Sequence, residues 1–403
     1  MNLKRDSLPL LLSWSFYDFA NTIFSAIVLT AYFPLYFTEK TGSNWQLGAA
    51  TTGSMLAAGA VLPFLGALAD RTGKTKIYLI RATLACILFL FALSFLKNPL
   101  LLIFFFAISG FFYHASLVFY NSLLPAVAAP ARQGFASGLG TGLGYLGVVF
   151  SLPLADWIDK NWGRPFVFSA AGLLFFLFSL PLFVWTPERR VSKPEAFQGR
   201  ILSQEWKKIF VLIRKLPATP ALAFFLIGNF FAVDAINATI FWFLVYAREV
   251  FRPGQSALVY LLLGVNGSAF LAGCVLGWAS DRFGAMRILR FSSLSLIATL
   301  GGMALTDHFQ WFAALSLTGG AIAIAGIWTS GRKVLVDLSP PEHIGEYFGL
   351  YGLTTKISVL SNLIFSIVAD DFGFRPALLT LILPALAGAL SLFLSNFPRQ
   401  KKL

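Results

Sequence analysis

The chain is poor in charge: only 12% of its 403 residues are Asp, Glu, Lys or Arg, about half the roughly 25% share of a soluble domain. Cysteine is scarcer still. Cys86 and Cys274 both fall inside apolar stretches, so they supply neither a disulfide framework nor a metal cluster and are read as buried hydrophobes. No GxxxxGK[ST] phosphate loop is present, which leaves ATP-driven chemistry by this chain unsupported. Metal-ligand clusters, a nucleophile elbow and an appended soluble domain are also missing, so no cofactor, no metal and no enzymatic activity are expected.

Apolar residues fill the space that charge leaves. They make up 57% of the chain and include 43 Phe. That much apolar surface cannot be hidden in one water-soluble core, and runs of about twenty nearly uncharged residues are long enough to cross a bilayer. The pattern predicts an all-α integral membrane protein with twelve spans, at residues 8–37, 46–69, 77–96, 99–124, 135–155, 165–186, 219–246, 256–279, 286–305, 310–337, 345–369 and 374–396. Lys4 and Arg5 precede the first span as in a signal peptide, but no small-residue cleavage site follows and Asp18 interrupts the run, so a retained helix is expected.

The net charge of +13 would suit a nucleic-acid partner if the basic residues clustered on one folded surface. They segregate by membrane side instead. With twelve spans, 23 of the 31 Lys and Arg fall in the loops and nearby span ends of the side that holds both termini, 7 on the other side, and Lys356 deep within a span. The positive-inside rule then puts both termini in the cytoplasm and removes the need for nucleic acid.

The chain also repeats itself. GALADRTG at 66–73 returns as GWASDRFG at 277–284, an offset of 211 residues that also joins Pro130 to Pro341, Gly134 to Gly345, Gly138 to Gly349, and Arg164 with Pro165 to Arg375 with Pro376. Asp18 and Asn21 in span 1 recur as Asp234 and Asn237 in span 7 at an offset of 216. Duplication of a six-helix unit predicts an N-terminal bundle over 1–186 and a C-terminal bundle over 218–403. The basic linker 187–217 joins them; Ile201, Trp206, Ile209, Phe210, Ile213 and Leu216 fall at helical spacing there, as in a helix lying on anionic membrane lipids.

Ionisable groups deep in hydrocarbon are costly and face a cavity or a partner. Asp18, Asp234 and Lys356 are read as lying within spans; Asn21 and Asn237 sit one turn beyond the two carboxylates. Because a lone charge near the midplane is costly, Lys356 is expected to pair with Asp18 in one access state and with Asp234 or substrate in the other. His114, Leu117 and Asn121 form a polar stripe on span 4, flanked by Tyr113 and Tyr120. Trp328 and Arg332 lie four apart near the end of span 10; Arg332 could bind an anion or anchor the helix at the lipid headgroups, and the anchor is the favoured reading. Gly142, Gly144 and Gly147 spell GxGxxG, but no strand precedes them, and Gly134, Gly138 and Gly142 recur every four residues as in close helix packing.

The loop GALADRTGKTK and its degenerate copy resemble the signature loop of the major facilitator superfamily of transporters. The segments WSFYDFANTIF from 14, FYNSLLPAVAAPARQGFASGLGTGLGYLG from 119, VDAINATI from 233 and GEYFGLYGLTTK from 345 resemble its vacuole-effluxer-like branch, which is similar to fungal vacuolar exporters of amino acids and has bacterial members. One departure is Ala126, where an acidic residue is often found. The resemblance implies two six-helix bundles around a central cavity lined by spans 1, 4, 7 and 10, in a bacterial cell (inner) membrane. It implies transport of a small polar solute, an amino acid among the candidates and more for export than import, by a monomer with protons or Na+ as coupling ions. Cation-coupled symport of a sugar-like or other organic solute is the alternative, and a membrane receptor or enzyme on a transporter fold is the less favoured reading of another class. By the same resemblance Gly66, Asp70, Arg71 and Gly73, with Asp281, Arg282 and Gly284, form gating loops whose charge network favours one access state and touches no substrate.

Overall fold

The computed structural model describes residues 4–41, 44–188, 214, 218–358 and 360–395. Among these there is no β-strand, and twelve helical rods follow one another in chain order. The first, α1, is α-helical over Leu8–Phe24, winds into π turns over Ser25–Tyr32 and resumes as an α-helix over Phe33–Thr41. Then come α2 (Asn44–Thr72), α3 (Thr75–Leu93), α4 (Pro99–Ser122), α5 (Gln133–Trp162) and α6 (Arg164–Trp185). The second half holds α7 (Pro220–Phe251), α8 (Gln255–Phe283) and α9 (Ala285–Leu305). It ends with α10 (Phe309–Leu315, π turns Ser316–Gly320, Ala321–Leu338), α11 (Ile344–Ile357 and Leu360–Phe372) and α12 (Phe374–Thr380 and Ile382–Leu394).

Eleven of the rods, α2 to α12, hold stretches long and apolar enough to cross a bilayer. Local chemistry sets their ends. Asn98 caps α4 by accepting from the N–H groups of Leu100 and Leu101, with Pro99 supplying the pre-set first turn. Gly73 and Gly284 close the two copies of the signature loop at φ of 65° and 97°, a conformation in which a side chain would be strained. Large apolar side chains line the outside, Leu88, Phe104, Leu305 and Leu383 among them, each more than half exposed. Such a surface suits lipid and not water. The proposed interfacial helix at 201–216 lies outside the described residues apart from 214.

The packing follows the repeat. In the first half α1 packs on α5 and α6, α4 on α2 and α3, and α3 on α6. The same pairs recur with each index raised by six: α7 on α11 and α12, α10 on α8 and α9, and α9 on α12. Between the halves α2 crosses α11 and α5 crosses α8. These crossings are close because glycine meets backbone. A Cβ on Gly66 would lie 1.9 Å from the carbonyl oxygen of Gly345, and one on Gly138 would lie 2.1 Å from that of Gly273. The glycines of α5 serve two faces, with Gly134, Gly138 and Gly142 against α8 and Gly140, Gly144 and Gly147 against α1. The GxGxxG string is therefore helix packing. The inter-half approaches of Gly66, Gly134 and Gly138 lie toward the ends of the helices that carry the signature loops; at the opposite end of α2, Gly53 has nothing within 4 Å of its would-be Cβ among the described residues. The halves are thus drawn together at the loop end.

A buried ion pair in a central cavity

Asp18 lies about ten residues into α1, and its side chain is 5% exposed. Arg332 of α10 reaches it from the other half as a two-pronged pair: Nη1 donates to Oδ2 at 2.6 Å and Nη2 to Oδ1 at 3.2 Å. Asn21, one turn further along α1, donates its amide to Oδ1 at 3.0 Å. Removing two charges from water is expensive and is offset only where geometry and added hydrogen bonds are good, as a planar guanidinium allows. The surroundings hold that geometry. Tyr120 stacks on Trp14 at 4.4 Å and on Tyr17 at 4.8 Å, and its ring lies 5.7 Å from the guanidinium carbon. Gly140 makes room, since a Cβ there would stand 2.6 Å from Asp18 Oδ2.

Arg332 is therefore no headgroup anchor. Its spacing from Trp328 is right, but the face they share turns inward, and both line a cavity of about 290 Å³ between the halves. Asp18, Asn21, His114 and Asn121 line the same cavity, with Tyr113, Tyr145 and Tyr351 as aromatic wall. Sequence reading did not place Arg332, Tyr145 or Tyr351 there. The repeat carried the signal: an offset of 211 pairs Arg332 with Asn121, already read as solute-facing.

Asp234 and Asn237 take a different place. Among the described residues α11 is broken around Ser358, and α7 holds both sides of the break. Asp234 accepts from Ser361 Oγ at 2.5 Å and from its N–H at 3.2 Å, at the start of the second piece. Asn237 donates to the Ser358 carbonyl at 3.2 Å, at the end of the first. A carboxylate at a helix N-terminus and a donor at a C-terminus are the favourable arrangement for the exposed backbone groups. Asp18 thus pairs with Arg332 and Asp234 with Ser361, and the expected alternating pairing of Lys356 with these two carboxylates falls on a side chain that lies outside the described residues.

The signature loops meet the opposite half in the same way twice. Asp70 accepts from the N–H groups of Gly345 and Glu346, both at 2.8 Å, at the start of α11. Asp281 accepts from those of Gly134 and Phe135, both at 2.7 Å, at the start of α5. Arg282 lies over the rings of Trp278 and Phe283, while Lys333, buried on α10, is paired with Asp337.

The model of the Major Facilitator Superfamily matches residues 15–360. The chain belongs to that superfamily. It is an integral membrane transporter of small molecules and not an enzyme. It is 26% identical over 390 residues to an uncharacterized MFS-type transporter, YxiO of Bacillus subtilis, covering 90% of this chain and 88% of the relative. It is also 22% identical to autophagy-related protein 22 of Gibberella zeae, over 60% of this chain and 41% of that one. In shape it is similar to the MFS transporter FucP in the outward conformation, with a TM-score of 0.74 at 15% identity and 98% of each chain covered.

Proposed function

We propose that this MFS protein is a secondary active transporter that moves a small polar organic solute by alternating access, as a monomer in a bacterial inner membrane with both termini cytoplasmic. Residues 1–186 and 218–403 are the two units that rock, and 187–217 is the tether. The observation that carries the reading is the Asp18–Arg332 pair, one charge from each half, in the wall of a cavity between them. Charges placed so deep are functional sites by default in membrane helices. The glycine crossings near the signature loops support a state closed on the basic, cytoplasmic side. The resemblance to vacuolar exporters favours an amino acid and the export direction, with protons or Na+ as coupling ions.

The test is solvent access to the cavity. In a variant lacking Cys86 and Cys274, a cysteine at Thr355 in the cavity wall should react with an impermeant maleimide from the periplasmic side of the membrane. A second variant with Asp70 and Asp281 replaced by Ala should expose it to the cytoplasmic side. Labelling from neither side in both variants would remove alternating access.

A further inference from the structure

A second hollow, of about 480 Å³, opens at the loop end where α5 of the first half crosses α8 of the second, and it shares no lining residue with the central cavity. Its walls are Ala131, Arg132 and Phe135 on one side and Trp278, Asp281 and Arg282 on the other. Both arginines are exposed. Arg132 gives one N–H to the Asp6 carbonyl at 2.7 Å, and its guanidinium carbon lies 5.8 Å from the centre of the Phe135 ring. Arg282, over the Trp278 and Phe283 rings, has no hydrogen bond or ion pair among the described residues. Rings hold a guanidinium by its face and leave the N–H groups at its edge free. The Asp281 carboxylate is turned to the N–H groups of Gly134 and Phe135 and bonds to neither arginine.

The repeat supplies an internal comparison. An offset of 211 puts Glu342, His343 and Glu346 where this groove has Ala131, Arg132 and Phe135, and Ala67 where it has Trp278. His343 Nδ1 there lies 3.2 Å from Glu346 Oε2. The two seams share the carboxylate clasp, so the clasp requires none of these differences. What the α5–α8 seam adds is a second arginine with aromatic support, and what its twin adds is acid. Of the two, the α5–α8 seam suits an anion.

The kind of anion follows from the rest of α8. Trp278, Val275 and Leu271 follow Arg282 back along one face at helical spacing, 48%, 59% and 63% exposed. That stripe faces lipid. From Leu271 to Arg282 it rises about 16 Å at 1.5 Å per residue, close to half the roughly 30 Å core of a bilayer. An acyl chain lying on the stripe brings its phosphate to Arg282, whereas free phosphate gains nothing from the stripe or the rings. A zwitterionic lipid carries its own cation beside the phosphate, so two arginines with open N–H groups favour a headgroup of net negative charge.

We propose that this groove is a docking site for an anionic phospholipid of the leaflet on the loop side, with its phosphate held between Arg132 of one half and Arg282 of the other and an acyl chain along Trp278, Val275 and Leu271. Docking makes and breaks no covalent bond. The site stands apart from the transport reading, and loss of two-sided access in the cysteine experiment would leave it in place.

The experiment uses the purified full chain in phosphatidylcholine nanodiscs that carry a minor share of either brominated phosphatidylglycerol or brominated phosphatidylcholine. Bromine quenches nearby tryptophan, and the part of the quenching that disappears in Trp278→Phe belongs to the groove. That part should be about fivefold larger with the brominated phosphatidylglycerol. Replacing both Arg132→Gln and Arg282→Gln should make the two lipids equal, while Arg81→Gln with Arg287→Gln, which removes two other exposed arginines near the same membrane surface, should keep the preference. Equal quenching by the two lipids in the wild type, a comparison that needs no arginine variant, overturns the proposal. So does an equal loss of preference in both arginine double variants, which would mean diffuse surface charge. Displacement of the brominated phosphatidylglycerol by millimolar inorganic phosphate would assign the groove to a free anion and overturn the lipid as its occupant.

Discussion

Asp281 of α8 holds the start of α5 through the N–H of Gly134 at 2.7 Å, and 211 residues away in register Asp70 holds the start of α11 through Gly345 at 2.8 Å. Each carboxylate belongs to one half and each helix start to the other, so the pair fastens the halves at one end only. Hydrogen bonds to a charged group contribute about 1.5–3 kcal/mol each, and the helix N-terminus adds its own attraction for an anion. Two such clasps are enough to decide which state is populated.

Asp70→Asn should therefore act on the equilibrium between access states and leave the cavity alone. Loss of about 1.4 kcal/mol shifts that equilibrium about tenfold. Spin-label distances across the loop end should show a second, wider population, with solute affinity within a few-fold of the wild type. A complete loss of binding in a folded variant would place Asp70 in the site instead.

The glycine crossings give a sharper contrast. At Gly66 a Cβ would sit 1.9 Å from a carbonyl oxygen of α11, whereas at Gly53 it would meet nothing within 4 Å among the described residues. Backbone cannot step aside as a side-chain tip can. Gly66→Ala should force the loop end open and raise cytoplasmic labelling of the cavity cysteine several-fold, while Gly53→Ala leaves labelling and melting temperature unchanged. Equal behaviour of the two would deny that close packing at Gly66 seals the molecule.

Most of the architecture was legible in the sequence because two of its signals are long. Twelve apolar runs and one repeated loop hold over hundreds of residues, and each rests on a physical requirement, bilayer thickness or duplicated packing. The site was only half legible. Asp18 announces itself as a charge in hydrocarbon, and Asn21 follows by helical spacing. Arg332 sits close to a loop, where a basic residue usually serves the lipid headgroups, and its one inward signal in the sequence is the 211-residue offset that pairs it with Asn121. Asp234 was visible as a buried charge, but its partner is the end of a broken helix, and no side-chain pattern marks a backbone group in need of a cap.

That break gives a third prediction. Ser361→Ala removes the 2.5 Å hydrogen bond to Asp234, a loss of about 1.5–3 kcal/mol. The melting temperature in detergent should fall by several degrees, and amide exchange in residues 360–363 should quicken while α8 and α9 are unaffected. Asp234→Ala should do more, since it also leaves the Ser361 N–H unmatched. Unchanged exchange at 360–363 in Ser361→Ala would mean that α11 holds its break without help from α7.

The ion pair itself can be tested by taking its members away one at a time. Arg332→Ala leaves Asp18, 5% exposed in the intact protein, bonded only to Asn21 among the described residues. Removing one partner of a buried pair costs about 3–5 kcal/mol, because the other is left in a poor solvent. Asp18→Asn strands Arg332 in the same way. The double variant, Asp18→Asn with Arg332→Gln, removes both charges and keeps two groups able to hydrogen-bond, so it should be more stable than Arg332→Ala and close to the wild type. A double-mutant cycle on chemical or thermal unfolding would read the coupling between the two positions. Additive losses, with the double variant the least stable of all, would mean that the two side chains are held by their own halves and that the contact between α1 and α10 contributes nothing of its own.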